Sequence, residues 1–431
     1  MTTEESQWSP DFDPDLPMLP LAFDFRSVGA LFERKLASAQ PAAATTGVRV
    51  QALQDVKYQP GFQCVSTYEL VVGDAGQSPS RGIGVLHIGA RETLVLLPED
   101  DPELDRLGEA MDPKHMRHRF EGARELDATL TSPPRIEALR YKPRLRCSLR
   151  YELETESGEQ VLFGKMLAQG GELLMSTLGQ LDWQSRELAT MPRIAPPLVY
   201  WPDMRLLLQR AVDGGDELHS IAFDQQRSMG ERAAWMHTAG ERLAGLHSAG
   251  RPPGPIRTLK DDVDELSSYT KAIAAPDPEL AREYSLEVRR LSKAEDAGSG
   301  FVPSHGAFRT DQFMIQDGEL VLIDLDGYCW AEPSRDIGNL LAYIGWKAMR
   351  QPQHGHFVEQ ATDQFLEGYA SVREPPDERR ISLFEAASRL KIGGRRYRSL
   401  SFREWPLVPL LIESSRNLLA SPSRFGTKRG L

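Results

Sequence analysis

Apolar and polar positions alternate in short stretches through the first half of the chain and recur at helical spacing through most of the second. The first periodic run, Val28, Leu31, Phe32 and Leu36, has the spacing of a short amphipathic helix. Two later stretches read alike. VKYQPGFQCVSTYEL (Val56–Leu70) and LRYKPRLRCSLRYEL (Leu139–Leu153) match in register at Tyr58/Tyr141, Pro60/Pro143, Cys64/Cys147, Tyr68/Tyr151, Glu69/Glu152 and Leu70/Leu153. Each alternates apolar and polar residues after a proline-marked bend, which predicts one β-hairpin used twice. The second copy runs through a turn at Glu156–Glu159 into a strand, Gln160–Lys165, that carries a lysine; the first runs into Gly82–Gly89, which has none. Leu198–Trp201 and Met204–Gln209 read as two more strands joined by a Pro202-Asp203 turn. Helices are predicted after Lys165 to about Thr190, and over Glu231–Ser248, Asp261–Ala274, Pro278–Lys293, Phe357–Tyr369 and Ile381–Ile392. Gln40–Gly47 reads as a linker, and Arg251–Pro255 breaks the chain.

The stretch Ser304–Gly345 concentrates the polar residues that can do chemistry. Two short apolar strands, Phe313–Ile315 and Leu320–Ile323, flank Asp317-Gly318, a pair that suits a tight hairpin because both turn positions need φ > 0. A polar loop, His305–Gln312, leads into the hairpin, and Asp324 sits at its exit. One hairpin therefore holds a loop and a carboxylate side by side. Asp336 then opens an amphipathic run, Ile337, Leu340, Leu341 and Ile344, where a carboxylate is favoured by helix capping alone.

His305-Gly306-Ala307-Phe308-Arg309-Thr310-Asp311-Gln312, then Ile323-Asp324-Leu325-Asp326, then Glu332-Pro333-Ser334-Arg335-Asp336 resembles, in order and spacing, the catalytic core of the aminoglycoside phosphotransferase and choline kinase group within the protein-kinase-like superfamily. The resemblance covers roughly residues 130–400. It implies a bilobal α+β fold, with a mostly antiparallel N-lobe sheet and a mainly helical C-lobe. It also implies ATP and Mg²⁺, with Lys165 on the nucleotide phosphates and an acidic partner for that amine, Glu187 first and Glu172 second. Gln312, Asp324 and Asp326 become the metal ligands, and the segment at Gln209 and Ala211 becomes the hinge whose backbone N–H and C=O groups pair with adenine. His305 and Asp336 are implied to be structural, and His247 reads as a packing or capping histidine. One position departs: Ala307 stands where the family places the aspartate that takes the acceptor's proton. Asp311, four residues on, is the candidate substitute. The implied function is ATP-dependent phosphoryl transfer to a small hydroxylated molecule, with the base missing or rearranged. The alternatives are a nucleotide-binding pseudokinase or a protein that transfers AMP.

Composition narrows the partners. The formal net charge of −11 does not favour nucleic acid or anionic membrane. From Arg379 onward basic residues outnumber acidic ones, which reads first as a solvated face and second as an attraction for a phosphate-bearing ligand. Three scattered cysteines, Cys64, Cys147 and Cys329, suggest neither a disulfide framework nor a metal cluster and fit a reducing, cytoplasmic compartment. The acidic, proline-rich N-terminus does not read as a signal peptide. The expected organisation is a flexible arm (1–22), an extension carrying the first hairpin (23–130), an N-lobe (131–212) and a helical C-lobe (213–431) with its catalytic hairpin at 304–326.

Overall fold

The computed structural model describes residues 12–39, 45–74, 80–126, 129–212, 215–250, 252–294 and 300–420. Its first half holds two antiparallel sheets. Thr45–Gln59 (β1), Gln63–Asp74 (β2), Ser80–Gly89 (β3) and Thr93–Leu96 (β4) pair in sequence order. Arg135–Lys142 (β5), Arg146–Thr155 (β6) and Gly158–Leu167 (β7) begin the second sheet. A two-residue strand, Arg193–Ile194 (β8), pairs elsewhere, and Pro197–Trp201 (β9) and Leu206–Arg210 (β10) complete the order β5-β6-β7-β10-β9. Phe25–Ala39 (α1) precedes the first sheet. Leu107–Ala110 (α2) and Pro113–Glu121 (α3) precede the second, and Gly171–Glu187 (α4) interrupts it.

The two sheets are copies of one unit, and the copying reaches beyond the matching hairpins. Tyr58 faces Cys64 across the first hairpin as Tyr141 faces Cys147 across the second. Ahead of each copy stands an Asp-Pro-acid-Leu segment, Asp13–Leu16 and Asp101–Leu104. Asp13 Oδ2 accepts from the Tyr58 hydroxyl at 2.7 Å and the Gly61 N–H at 2.9 Å. Asp101 Oδ2 accepts from the Tyr141 hydroxyl at 2.6 Å and the Arg144 N–H at 2.7 Å. Both carboxylates are buried, where hydrogen bonds to a charged group are worth ~1.5–3 kcal/mol each. Further along, Tyr68 donates to the Ala22 carbonyl at 2.8 Å and Tyr151 to that of Ala110 at 3.0 Å. Phe32 of α1 and Phe120 of α3 meet those tyrosines edge-on, at 6.0 and 5.2 Å between ring centres. The second unit thus starts at Asp101, ahead of the residue-131 boundary expected from its hairpin alone. The copies diverge where charge sits. His87, opposite Val65, holds the place of Lys165, opposite Ser148, and Gln63 holds the place of Arg146.

The second half is mainly helical: Leu218–Phe223 (α5), Met229–His247 (α6), Leu259–Ser267 (α7), Thr270–Ala274 (α8), Pro278–Leu291 (α9), Pro333–Arg350 (α10), Gly355–Val372 (α11), Glu378–Arg398 (α12) and Val408–Ala420 (α13). Asp216–Glu217 (β11), Val302–Ser304 (β12), Phe313–Gln316 (β13), Glu319–Leu322 (β14) and Cys329–Ala331 (β15) are set among them. Sheet β11-β13-β14-β8 ties the hairpin to the chain leaving α4, and β12 pairs with β15. Together these halves make the bilobal α+β, kinase-like architecture that the resemblance implied. The first unit shares its core with α7, α9, α12 and α13: Tyr58 and Tyr68 belong to the same apolar cluster as Tyr269, Tyr284 and Trp405. The second unit centres a separate cluster, to which Ile83 and Val85 of β3 also contribute.

Several expectations are corrected here. The 1–22 arm is packed down from Phe12 onward, with Leu16, Leu19 and Ala22 fully buried; residues 1–11 lie outside the described residues. Of the predicted linker, residues 40–44 lie outside them too, and Thr45 already pairs with Asp74. The 261–274 helix is two pieces, because Tyr269 turns into the core between α7 and α8. Helix α12 runs past Gly393-Gly394, where the sequence suggested a stop. A Cβ at Gly394 would sit 2.6 Å from the Tyr269 ring, so the glycine serves close packing rather than helix termination. Tyr397 and Trp405, whose role the sequence leaves open, stack at 4.3 Å and are buried. Among the described residues no helix is long and apolar enough to cross a membrane, and the three cysteines are buried free thiols.

Candidate active site

Two tight backbone features place the polar residues. Asp317 and Gly318 take φ of 52° and 78°, the hairpin turn forms, and Phe313 pairs with Leu322 and Gln316 with Glu319. The Ile323 N–H donates to the Gln312 carbonyl at 2.9 Å, which brings Gln312 level with Asp324 at the open end of the hairpin. The second feature is Gly306, at φ +80°. A Cβ there would fall 2.0 Å from the Gly327 carbonyl oxygen, so only glycine fits.

Asp336 braces the loop. Its carboxylate accepts from the backbone N–H groups of His305 at 2.6 Å and Gly306 at 2.9 Å, and from His247 Nε2 at 3.3 Å. Burial would raise the Asp336 carboxyl, but these donors hold it below the usual carboxylate range. Burial pushes His247 down against the pull of Asp336. The neutral imidazole then donates from Nε2 to Asp336 and accepts the Tyr369 hydroxyl at Nδ1, 2.8 Å away. His305 Nε2 donates to the Ile323 carbonyl at 3.0 Å, which ties the loop to the hairpin.

From the sheet above, Lys165 of β7 reaches Asp324 Oδ1 at 3.1 Å and Asp326 Oδ1 at 2.5 Å, and the Arg146 guanidinium pairs with Asp326. Burial alone would lower the Lys165 amine; Asp326 and Asp324 more than reverse that and hold it above its ordinary value. Burial would likewise raise Asp324, and Lys165 holds it below. Asp324 takes φ 57°, ψ 46°, a left-handed conformation that costs a non-glycine residue about 1–3 kcal/mol and persists where the surroundings impose it. Gln312 is buried, and its Oε1 has no hydrogen-bond partner. Leaving a buried acceptor bare costs about 1–3 kcal/mol. An amide oxygen with two carboxylates is an all-oxygen donor set of the kind that Mg²⁺ accepts, so Gln312, Asp324 and Asp326 fit that ion.

Other expected site residues stand apart. Glu187 and Glu172 are exposed on α4, and Lys165 takes its acidic partners from the hairpin exit instead, because β7 aims the amine there. Gln209 is buried in β10 with its Nε2 donating to the Ala195 carbonyl at 3.0 Å. The Ala211 N–H donates to the Val161 carbonyl at 3.1 Å, so the sheet uses the donor expected for adenine. Asp213 and Gly214, the rest of that hinge, lie outside the described residues. Asp311 Oδ1 lies 3.1 Å from Arg309 Nε, and the Arg309 guanidinium sits 4.8 Å over the Tyr343 ring. Ala307 is exposed. Arg146 was missed from the sequence. Its signal was the aligned pair Gln63/Arg146, changed together with His87/Lys165.

Residues 180–375 match the model of the phosphotransferase enzyme family. Among solved structures, the chain is similar to choline kinase from Cryptosporidium parvum Iowa II, at 11% identity and a TM-score of 0.51 over 72% of this chain and 97% of that one. A choline/ethanolamine kinase family protein from Mesorhizobium loti aligns at 14% identity and a TM-score of 0.46, covering 72% and 95%. An amicoumacin kinase in complex with AMP-PNP, Ca²⁺ and its ligand aligns at 14% and 0.48, covering 72% and 95%. No curated protein matches the chain at a significant level. The ordered loop, hairpin and brace lie within the segment that matches that family model, and the likeness to the choline kinase structure gives the chain a protein-kinase-like fold.

Proposed function

We propose that this protein is an ATP-dependent phosphotransferase acting on a hydroxyl of a small molecule. The observation that carries the reading is the bare, buried Gln312 Oε1 at the same end of the hairpin as Asp324 and Asp326, with Lys165 held against those carboxylates. Gln312, Asp324 and Asp326 would hold Mg²⁺, whose chemistry is charge neutralisation on the β- and γ-phosphates. Lys165, freed from part of its pairing, would turn to the α- and β-phosphates. The acceptor oxygen forms a bond to the γ-phosphorus as the bond to ADP breaks, and the acceptor hydroxyl loses its proton. No carboxylate at position 307 receives that proton, so it passes to solvent or to a phosphoryl oxygen. The absence of a positioned base costs about 10²–10⁴-fold in rate. The three buried thiols fit a cytoplasmic setting, and the net charge of −11 favours a small acceptor over nucleic acid.

A second reading, a nucleotide-binding protein without transfer, has one observation in its favour: Ala307 is open to solvent while Asp311, the candidate substitute, is held by Arg309. Turnover separates the two. Phosphorus NMR of ATP with Mg²⁺ and a panel of polyols, sugars and amino alcohols is expected to show slow ADP and phosphoester formation, faster in Ala307→Asp. ATP left intact by both proteins would leave the second reading standing.

A further inference from the structure

Beside the loop, a small recess has Asp262, Gly306, Arg335, Asn339, Ser388 and Lys391 among its lining residues. Gly306 is bonded to Ala307, so the recess adjoins the side of the site where an acceptor hydroxyl must lie. Its walls carry more positive than negative charge. Arg335 is buried and forks onto Asp262 through both terminal nitrogens, with its Nε left without a partner. Arg257 reaches Asp262 Oδ1 at 3.2 Å and Glu265 Oε2 at 2.5 Å. Lys391 also lies on Glu265, at 2.7 Å, and Arg395 at 3.2 Å. Arg257, Arg335, Lys391 and Arg395 therefore face two carboxylates, Asp262 and Glu265. Lys142 of β5, with Arg140 and Arg146 beside it and Asp55 as a counter-charge, lies within the field of Arg395 from the sheet side.

Burying charge without a partner is costly, and cations gathered in surplus at a cleft are the recognition chemistry for an oxyanion. We infer that the acceptor is anionic: a hydroxylated small molecule bearing a phosphate or carboxylate that docks against Lys391, Arg395 and the free edge of Arg335. This rests on the phosphotransferase reading above for the word acceptor, but the anion site itself does not need it. Two lysines already strain against the surplus. Burial and then Arg395 push Lys391 down to about 8, and burial with Arg140 and Arg146 pushes Lys142 down to about 8. A bound anion would relieve both.

The test is calorimetric titration of the full chain, without nucleotide, with four hexose probes: glucose, glucosamine, gluconate and glucose 6-phosphate, each at low and high salt. One or both anionic probes are expected to bind at least about tenfold more tightly than glucose and glucosamine, and more weakly in high salt. The carboxylate and phosphate arms tell which oxyanion is read. Lys391→Met removes a cation and Ser388→Glu adds a carboxylate to the wall. Each is expected to weaken the anionic probe at least about tenfold while the protein still unfolds in one cooperative transition. Equal binding of all four, no binding of any, or indifference to Ser388→Glu would overturn the inference. Displacement of the anionic probe by Mg·ATP would do so too, by assigning the charge to the nucleotide. Failure of nucleotide binding in a separate titration would count against the phosphotransferase reading alone.

Discussion

Gly306 and Ala307 stand side by side and are constrained in opposite ways. A methyl group at 306 would meet the Gly327 carbonyl at 2.0 Å in a left-handed backbone, so Gly306→Ala is expected to cost more than ~2 kcal/mol, read as a lowered urea midpoint. At 307 the side chain is exposed. Ala307→Asp should therefore leave stability within ~0.5 kcal/mol while raising the rate of phosphoryl transfer by about 10²–10⁴-fold, measured as ADP release. A variant that folds normally with an unchanged rate would mean that position 307 does not face the reacting hydroxyl. The hairpin residues were legible because Asp317-Gly318 dictates its own turn, and the turn fixes what its ends hold. The partner of Lys165 was not. Which carboxylate an amine reaches depends on how two distant segments pack, and no local spacing encodes that.

At the scale of elements, the duplicated unit makes a quantitative expectation. Tyr58→Phe and Tyr141→Phe each remove one buried hydrogen bond to an aspartate, from separate cores. Each should cost about 1.5–3 kcal/mol, and the double variant should show the sum within ~0.5 kcal/mol by urea denaturation. A large interaction energy would mean that the units share more than their resemblance. The hairpin repeat was visible as six identities, but the Asp-Pro-acid-Leu clamp was not, because its partners lie some forty residues downstream in each copy. Helix α12 shows another limit. Its double glycine resembles a helix stop, and only the Tyr269 ring against it explains its continuation. Lys391 on that helix gives a pH signature, set by Glu265 of α7, by Arg257 and Arg395, and by burial. Its folded pKa, about 8, lies below the ordinary 10.5. Between those values the unfolded chain binds more protons, so this group's contribution to stability rises with pH across the window and its penalty is complete below it. The gain in urea midpoint from about pH 7.5 to 9.5 should be smaller in Lys391→Met than in the wild type.

The whole molecule carries a net charge of −11, yet gathers cations along one cleft. The basic stretch after Arg379 had read first as a solvated face; folding instead turns Lys391 and Arg395 onto Glu265, near the His305–Gln312 loop. Composition gives a sum, whereas the cleft depends on a distribution that only tertiary packing supplies. The same packing joins the two lobes, since Lys165 and Arg146 of the sheet lobe close onto Asp324 and Asp326 of the helical one. The central claim is that this closure marks a metal–nucleotide site. Calorimetric titration of ATP into the wild type and Asp324→Ala, with and without Mg²⁺, tests it most directly. Binding that requires Mg²⁺ and is lost in Asp324→Ala is the expected result. Absence of ATP binding in the wild type, or binding indifferent to both Mg²⁺ and the substitution, would contradict the assignment.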